Sequence, residues 1–195
     1  MLDAADLGSR LDLLLRLVES TTATPDLDHV LDRVVQSAVS LAEDSHASLW
    51  IVEGARLVKR VTAGRHLSTV ASRTELAIGE GVIGRAALQR QTLVVPDVQA
   101  DERHACREYY RAEKLVASAA TPLVSHGRLV GVLVLATRCA GALGNREIEM
   151  LTAFAGPSGA PGSIILSPTP AAHSANAFII CSRMAGSAGI SPPPW

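Results

Sequence analysis

Two apolar stretches, Ser118 to Ser125 and Leu129 to Thr137, follow each other with only His126-Gly127-Arg128 between them. A link that short admits an antiparallel hairpin and excludes the helical crossover that parallel strands require. Any fold available to this chain must therefore be built around an antiparallel pair. A second hairpin is read at Ser48 to Val52 and Leu57 to Ala63, turned by Glu53-Gly54-Ala55-Arg56. The hairpin nearer the C-terminus is the more apolar and is expected at the centre of the sheet. Glu75 to Ile78 and Leu93 to Val95 read as shorter strands.

Helical periodicity brackets these strands. Leu11, Leu14, Leu15 and Val18 recur along one face of a first helix. A second begins with Thr24 as N-cap, Pro25 in the first turn and Asp26 beside the positive helix end, with Leu27, Leu31, Val34, Val35, Ala38 and Leu41 on its buried side. Asn145 caps a last helix, Arg146 to Phe154, whose Ile148, Leu151 and Phe154 face inward. Adjacent hairpins with helices at both ends predict an α+β sandwich, the helices packed on one face of the sheet.

Charge and cysteine content narrow the function classes. A formal net charge of -1 and a pI near 6.6 supply no cationic field for nucleic acid or for an acidic membrane surface. Cys106, Cys139 and Cys181 are too scattered for a disulfide framework or a Cys-x-x-Cys zinc site, which fits a reducing, cytoplasmic setting and no metal. The opening MLDAADL has no signal-peptide character, and the apolar run Val130 to Ala136 falls far short of the ~20 residues of a membrane helix.

Gly79-Glu80-Gly81-Val82-Ile83-Gly84 matches the dinucleotide pattern G-x-G-x-x-G between a strand and a helix. A dinucleotide site also needs a parallel crossover and an acid at the end of the following strand. Here the next strand, Leu93 to Val95, is short and ends at Pro96-Asp97, among antiparallel hairpins. The glycines are therefore read as shaping a tight strand-to-helix turn.

The order of these pieces resembles the GAF domain family. It is carried by GEGVIGRAALQRQTLVVPDVQADERH, then KLVASAATPLVSHGRLVGVLVLATR, then REIEMLTAFA. The resemblance implies a six-stranded antiparallel sheet, helices on one side, and a small-ligand pocket on the other under a roof between Asp97 and Ala117. It also implies a sensor or input module of the histidine kinase and regulator kind, dimeric through its terminal helices and without a bound cofactor. Leu11, Leu13 and Leu15 supply apolar surface for such a pairing. Trp50, His104, Arg107, Tyr109 and Tyr110 are the expected ligand contacts, since rings are scarce (3% aromatic) and two of them fall in the roof.

Within the family, the pattern of cyclic-nucleotide binders is reduced to Thr137-Arg138, Leu143 and Glu147-Ile148. His104 and Cys106 superficially offer a bilin attachment, and His104 or His126 a haem ligand, but the lone histidines are expected to be solvated. Asp101-Glu102 beside His104 could serve as acid and base, and a charged helix start with solvated side chains explains them equally well. The catalytic alternative is a resemblance to free methionine-R-sulfoxide reductase, which places a nucleophilic cysteine at Cys106, with Arg103 and Arg107 nearby to lower its pKa. That chemistry needs a resolving thiol, and the matching positions hold Ile83 and Arg73. A third alternative is a vestigial dimerisation module without ligand.

The chain accordingly divides into a helical lead-in over 1–13, a sensor domain over 14–155 and a tail over 156–195. Of 37 charged residues only Arg183 lies in the tail, which also holds seven of the ten prolines. The abrupt change at Gly156-Pro157 has the look of a shifted reading frame or a truncated gene, leaving a sensor without its effector. The tail cannot bury enough surface to order itself. Limited proteolysis is expected to trim it rapidly and leave a fragment ending near Ala155; a protease-resistant tail would contradict this.

Overall fold

In the computed structural model, which describes residues 25–64, 72–125, 127–154 and 165–166, strand β1 (Ser45–Glu53) is buried along most of its length. A strand points successive side chains to opposite faces, so both faces of β1 must be covered. Ala47, Leu49 and Ile51 enter one core. Trp50 enters the other.

Helix α1 (Pro25–Val39) closes the first core with Leu31, Val34, Val35 and Ala38, at the helical spacing read from the sequence. Strand β2 (Arg56–Gly64) returns along β1, and β3 (Glu75–Ala77) pairs with β2 at one edge. Helix α2 (Gly81–Gln89) lies over the second face through Val82, Ile83, Ala86 and Ala87. That face is therefore partly helical as well. Strand β4 (Leu93–Val95), helix α3 (Arg107–Ala112), strands β5 (Ala117–Ser125) and β6 (Arg128–Thr137) and helix α4 (Asn145–Phe154) follow. α4 adds Ile148 and Leu151 to the first core, and Glu147 accepts the Gly144 N–H ahead of its first turn at 3.1 Å.

The spatial order is β3-β2-β1-β6-β5-β4, all antiparallel, with a two-residue strand β7 (Ile165–Leu166) parallel to β4 at the outer edge. The apolar hairpin β5–β6 occupies the centre, as its sequence implies. The apolar patch around Ile165, without periodicity of its own, thus contributes a strand. The helix read at Leu11 to Val18, the Thr24 cap, His126 and the rest of the tail lie outside the described residues, as do the side chains of Leu27 and Phe154.

The glycine-rich turn has a steric cause. Gly79 and Gly81 adopt φ of +95° and +64°, the region that disfavours side chains. A Cβ at Gly84 would stand 2.4 Å from the Ala77 carbonyl oxygen, so α2 can cross β3 this closely only without one. Gly131, paired with Ile51 in the sheet centre, is as tight: a Cβ there would lie 2.3 Å from the Trp50 carbonyl oxygen. Gly131→Ala is expected to destabilise the domain by about 2–3 kcal/mol, measured by urea unfolding. An unchanged midpoint would show that β1 and β6 can separate without cost.

Candidate functional site

The site begins with a break in strand register. Leu49 pairs with Val61 but Trp50 pairs with Lys59, leaving Arg60 as an extra residue in β2. Beyond the bulge the odd residues Val61 and Ala63 belong to the first core, whereas Leu57 belongs to the second. Lys59, directly opposite Trp50, is thereby on the second face. Its ammonium lies 5.5 Å from the centre of the Trp50 ring and 5.8 Å from that of Tyr109, within cation–π range of both. Its hydrogen-bond acceptor is Ser72 Oγ. Burial pulls the Lys59 pKa below its ordinary value.

The roof above this face runs from Asp97 to Val116. Asp97 starts it by accepting the Gln99 and Ala100 N–H groups at 2.9 and 3.2 Å. Gly81 supports it from below: a Cβ there would come within 2.7 Å of Ala105 Cβ. On α3, Tyr110 is buried and Tyr109 half-buried, their rings edge to face at 6.1 Å. His104 tilts against Tyr110 at 4.2 Å. Its Nδ1 accepts the Cys106 N–H at 3.4 Å, which places its proton on Nε2, toward Ser118 Oγ at 3.5 Å. Burial lowers the His104 pKa to about 4 and raises that of Tyr109 to about 12.

His46, on β1, meets the roof from the sheet side. Its Nε2 lies 3.4 Å from the Tyr109 hydroxyl, and its Nδ1 is buried without a partner. Burial brings its pKa to about 4; the Glu113 charge opposes this, and Arg138 and Lys59 reinforce it. At the end of α3 the buried Glu113 carboxylate receives Arg138 at 2.9 Å, and the same guanidinium donates to the Glu113 carbonyl at 2.7 Å and to Asp44 at 3.1 Å.

Trp50, His104, Tyr109 and Tyr110 are thus brought together. Arg107 stands to one side, donating to the Gln99 carbonyl at 2.6 Å, with its Nε buried and unpartnered; its charge still reaches His104. Lys59, His46 and Glu113 were not picked out from the sequence, and Arg138 was read only as a remnant of the cyclic-nucleotide pattern. Three expectations need correction. His104 is buried against Tyr110 rather than solvated. Asp101 binds the Arg103 side chain at 2.8 Å and its N–H at 2.9 Å, and α3 starts only at Arg107. Arg103 and Arg107 are both engaged elsewhere and do not activate Cys106: burial raises its thiol pKa, outweighing the charges of Lys59 and Arg73. Cys106 is a free, buried thiol. Among the described residues no three of His, Cys, Asp and Glu converge to hold a metal ion, and no helix is long and apolar enough to cross a membrane.

The two buried imidazoles have a consequence for stability. Their folded pKa of about 4 lies below the unfolded value of 6.5, so between these limits the unfolded chain binds protons that the folded chain refuses. Stability is full above pH 6.5 and falls as the pH drops toward 4, by roughly 1.4 kcal/mol per pH unit for each imidazole. Urea unfolding at pH 7 and pH 5 is expected to show this loss, with a shallower slope in His46→Gln and His104→Gln.

Comparison with known proteins agrees with this architecture. The family model described as GAF domain matches residues 26–157. The fold is similar to a GAF sensor protein of Burkholderia vietnamiensis, at 26% identity and TM-score 0.56, covering 79% of this chain and 92% of that one. It is also similar to the GAF domain of a phosphoenolpyruvate-protein phosphotransferase from Coxiella burnetii (22% identity, TM-score 0.58, 76% and 89% covered). A free methionine-R-sulfoxide reductase from Neisseria meningitidis, in complex with its substrate, shares the fold at 20% identity and TM-score 0.56, with 80% and 87% covered. No curated protein matches. With a sheet, turn and roof in this order and a family match over most of its length, the chain belongs to the GAF domain family.

Proposed function

We propose that this GAF sensor domain binds a small molecule between the second sheet face and the Asp97–Val116 roof, and that it signals by occupancy rather than by catalysis. The observation that supports this is the gathering of Trp50, Tyr109, Tyr110, His104 and Lys59 over one patch of sheet. Rings and apolar floor offer area, while a few polar atoms, including the unpartnered His46 Nδ1, offer orientation. Arg107 borders the roof beside His104. In the same reading the domain is an input module of a histidine kinase or regulator, pairing with a second copy through its terminal helices.

The reductase reading draws on Cys106, which lies in the roof near Lys59. A thiolate attacking a sulfoxide becomes a sulfenic acid that a second thiol must resolve. The glycine-rich turn carries Ile83 and the further upstream position carries Arg73 where a resolving cysteine is needed, and burial raises the Cys106 thiol pKa. Both conditions favour the sensor.

Native mass spectrometry of the purified protein reads out co-purified ligand and oligomeric state together. A bound small molecule is expected, and adding it back should raise the melting temperature in proportion to the logarithm of its concentration above Kd. Tyr109→Ala should weaken binding by about tenfold or more, and neither the protein nor Cys106→Ser should turn over methionine sulfoxide. Absence of any ligand and of any ligand-dependent melting would leave a vestigial module; turnover abolished by Cys106→Ser would establish the reductase.

A further inference from the structure

We propose that the ligand is a small monoanion, a carboxylate on a planar or apolar body, with Lys59 as its counter-ion. This rests on the sensor reading above and adds the charge of the occupant. An ammonium has three N–H donors. Ser72 Oγ takes one, and the rings of Trp50 and Tyr109 stabilise the charge without pairing it. No carboxylate among the described residues forms an ion pair with Lys59, and residues 65–71, which connect β2 to Ser72, contain Arg65 and His66 but no acid.

The neighbouring cations differ. Arg138 is neutralised by Glu113 and Asp44, Arg73 by Glu80, and Arg103 by Asp101. Arg107, which also lacks a carboxylate partner, is directed at the Gln99 carbonyl, whereas Lys59 lies half-buried between the Trp50 and Tyr109 rings with no carboxylate partner among the described residues.

His46 adds a directional donor. It is 4% exposed, and its ring flanks the same Tyr109 ring at 5.7 Å. When the Tyr109 hydroxyl donates to Nε2, the imidazole proton sits on the unpartnered Nδ1. Because burial keeps this imidazole neutral, the pair offers one positive charge and one neutral N–H. That matches the two oxygens of a carboxylate and leaves a phosphate dianion overcharged. The apolar body has Trp50, Val132, Val134 and Ala136, which share one cluster, to lie against.

The test uses the full chain at pH 7.5 with benzoate, its neutral isostere benzamide, inorganic phosphate, and acetate and propionate as shorter carboxylates. Binding is read by calorimetry and by melting temperature in wild type, Lys59→Met and Lys59→Arg. Benzoate or a shorter carboxylate is expected to bind wild type at least about tenfold more tightly than benzamide or phosphate. Lys59→Met should lose that margin and Lys59→Arg should keep it. The His46 imidazole resonances should shift with the carboxylate. Without ligand, Lys59→Met should melt at or above the wild-type temperature, since a half-buried uncompensated charge is gone. Equal affinity for benzoate and benzamide, or carboxylate binding unaffected in Lys59→Met, would overturn the anion and leave the sensor standing. A sharp fall in the ligand-free melting temperature of Lys59→Met would make Lys59 a structural cation and overturn it as well. If no carboxylate binds, the anion is again overturned, and native mass spectrometry decides separately whether the site holds any ligand.

Discussion

Burial of the central strands on both faces is the constraint from which the rest of this structure follows. β5 is buried at every position and β6 at nearly every one, so alternate residues belong to different cores and each must suit the side it meets. On one side α1 and α4 supply leucine, isoleucine and valine. On the other the cover is mixed: α2, then a roof whose rings and histidines bring polar atoms against the sheet. A sheet covered this unevenly has one face that is only core and one where core and polar side chains mix. The single extra residue in β2 decides to which of them Lys59 belongs.

The architecture was largely legible in the sequence because it rests on local patterns. Leu31, Val34, Val35 and Ala38 announce a helix face, and a three-residue link between apolar runs announces a hairpin. Trp50, His104, Tyr109 and Tyr110 were legible too, being rings in a chain with few of them. Lys59 was not. Uninterrupted alternation from Leu57 through Lys59 to Val61 and Ala63 puts a charge on a face that must be apolar, and only the bulge at Arg60 resolves the conflict. A charge at an expected core position one residue from a parity change was the available signal. His46 was missed because pairing with Tyr109 across 63 positions leaves no local trace. The surroundings of Cys106 were misread for a related reason. Neighbours in sequence, Arg103 and Arg107, were credited with an influence that their own partners remove.

The polar groups under the roof divide by how well they are matched. Glu113, almost wholly buried, is tolerable because Arg138 meets both its carboxylate and its carbonyl. Glu80 is held below the ordinary carboxylate range by the Ala77 N–H and by Arg73. His104 has both ring nitrogens placed. These groups are complete as they stand and serve the fold. Lys59 has no carboxylate partner among the described residues and the His46 Nδ1 has no hydrogen-bond partner, so these two groups carry a desolvation cost that the others do not.

The contact between Gly81 and Ala105 fixes one part of the roof. The roof meets the glycine turn where Gly81 and Ala105 leave no room for a larger side chain. Larger residues at 81 or 105 would lift the whole segment, and with it the rings of Tyr109 and Tyr110. The start of the roof, by contrast, is held by the Asp97 side chain accepting the Gln99 and Ala100 N–H groups. Steric closeness at Gly81 and Ala105 thus sets the height of the roof above the glycine turn, and hydrogen bonds set where the roof begins.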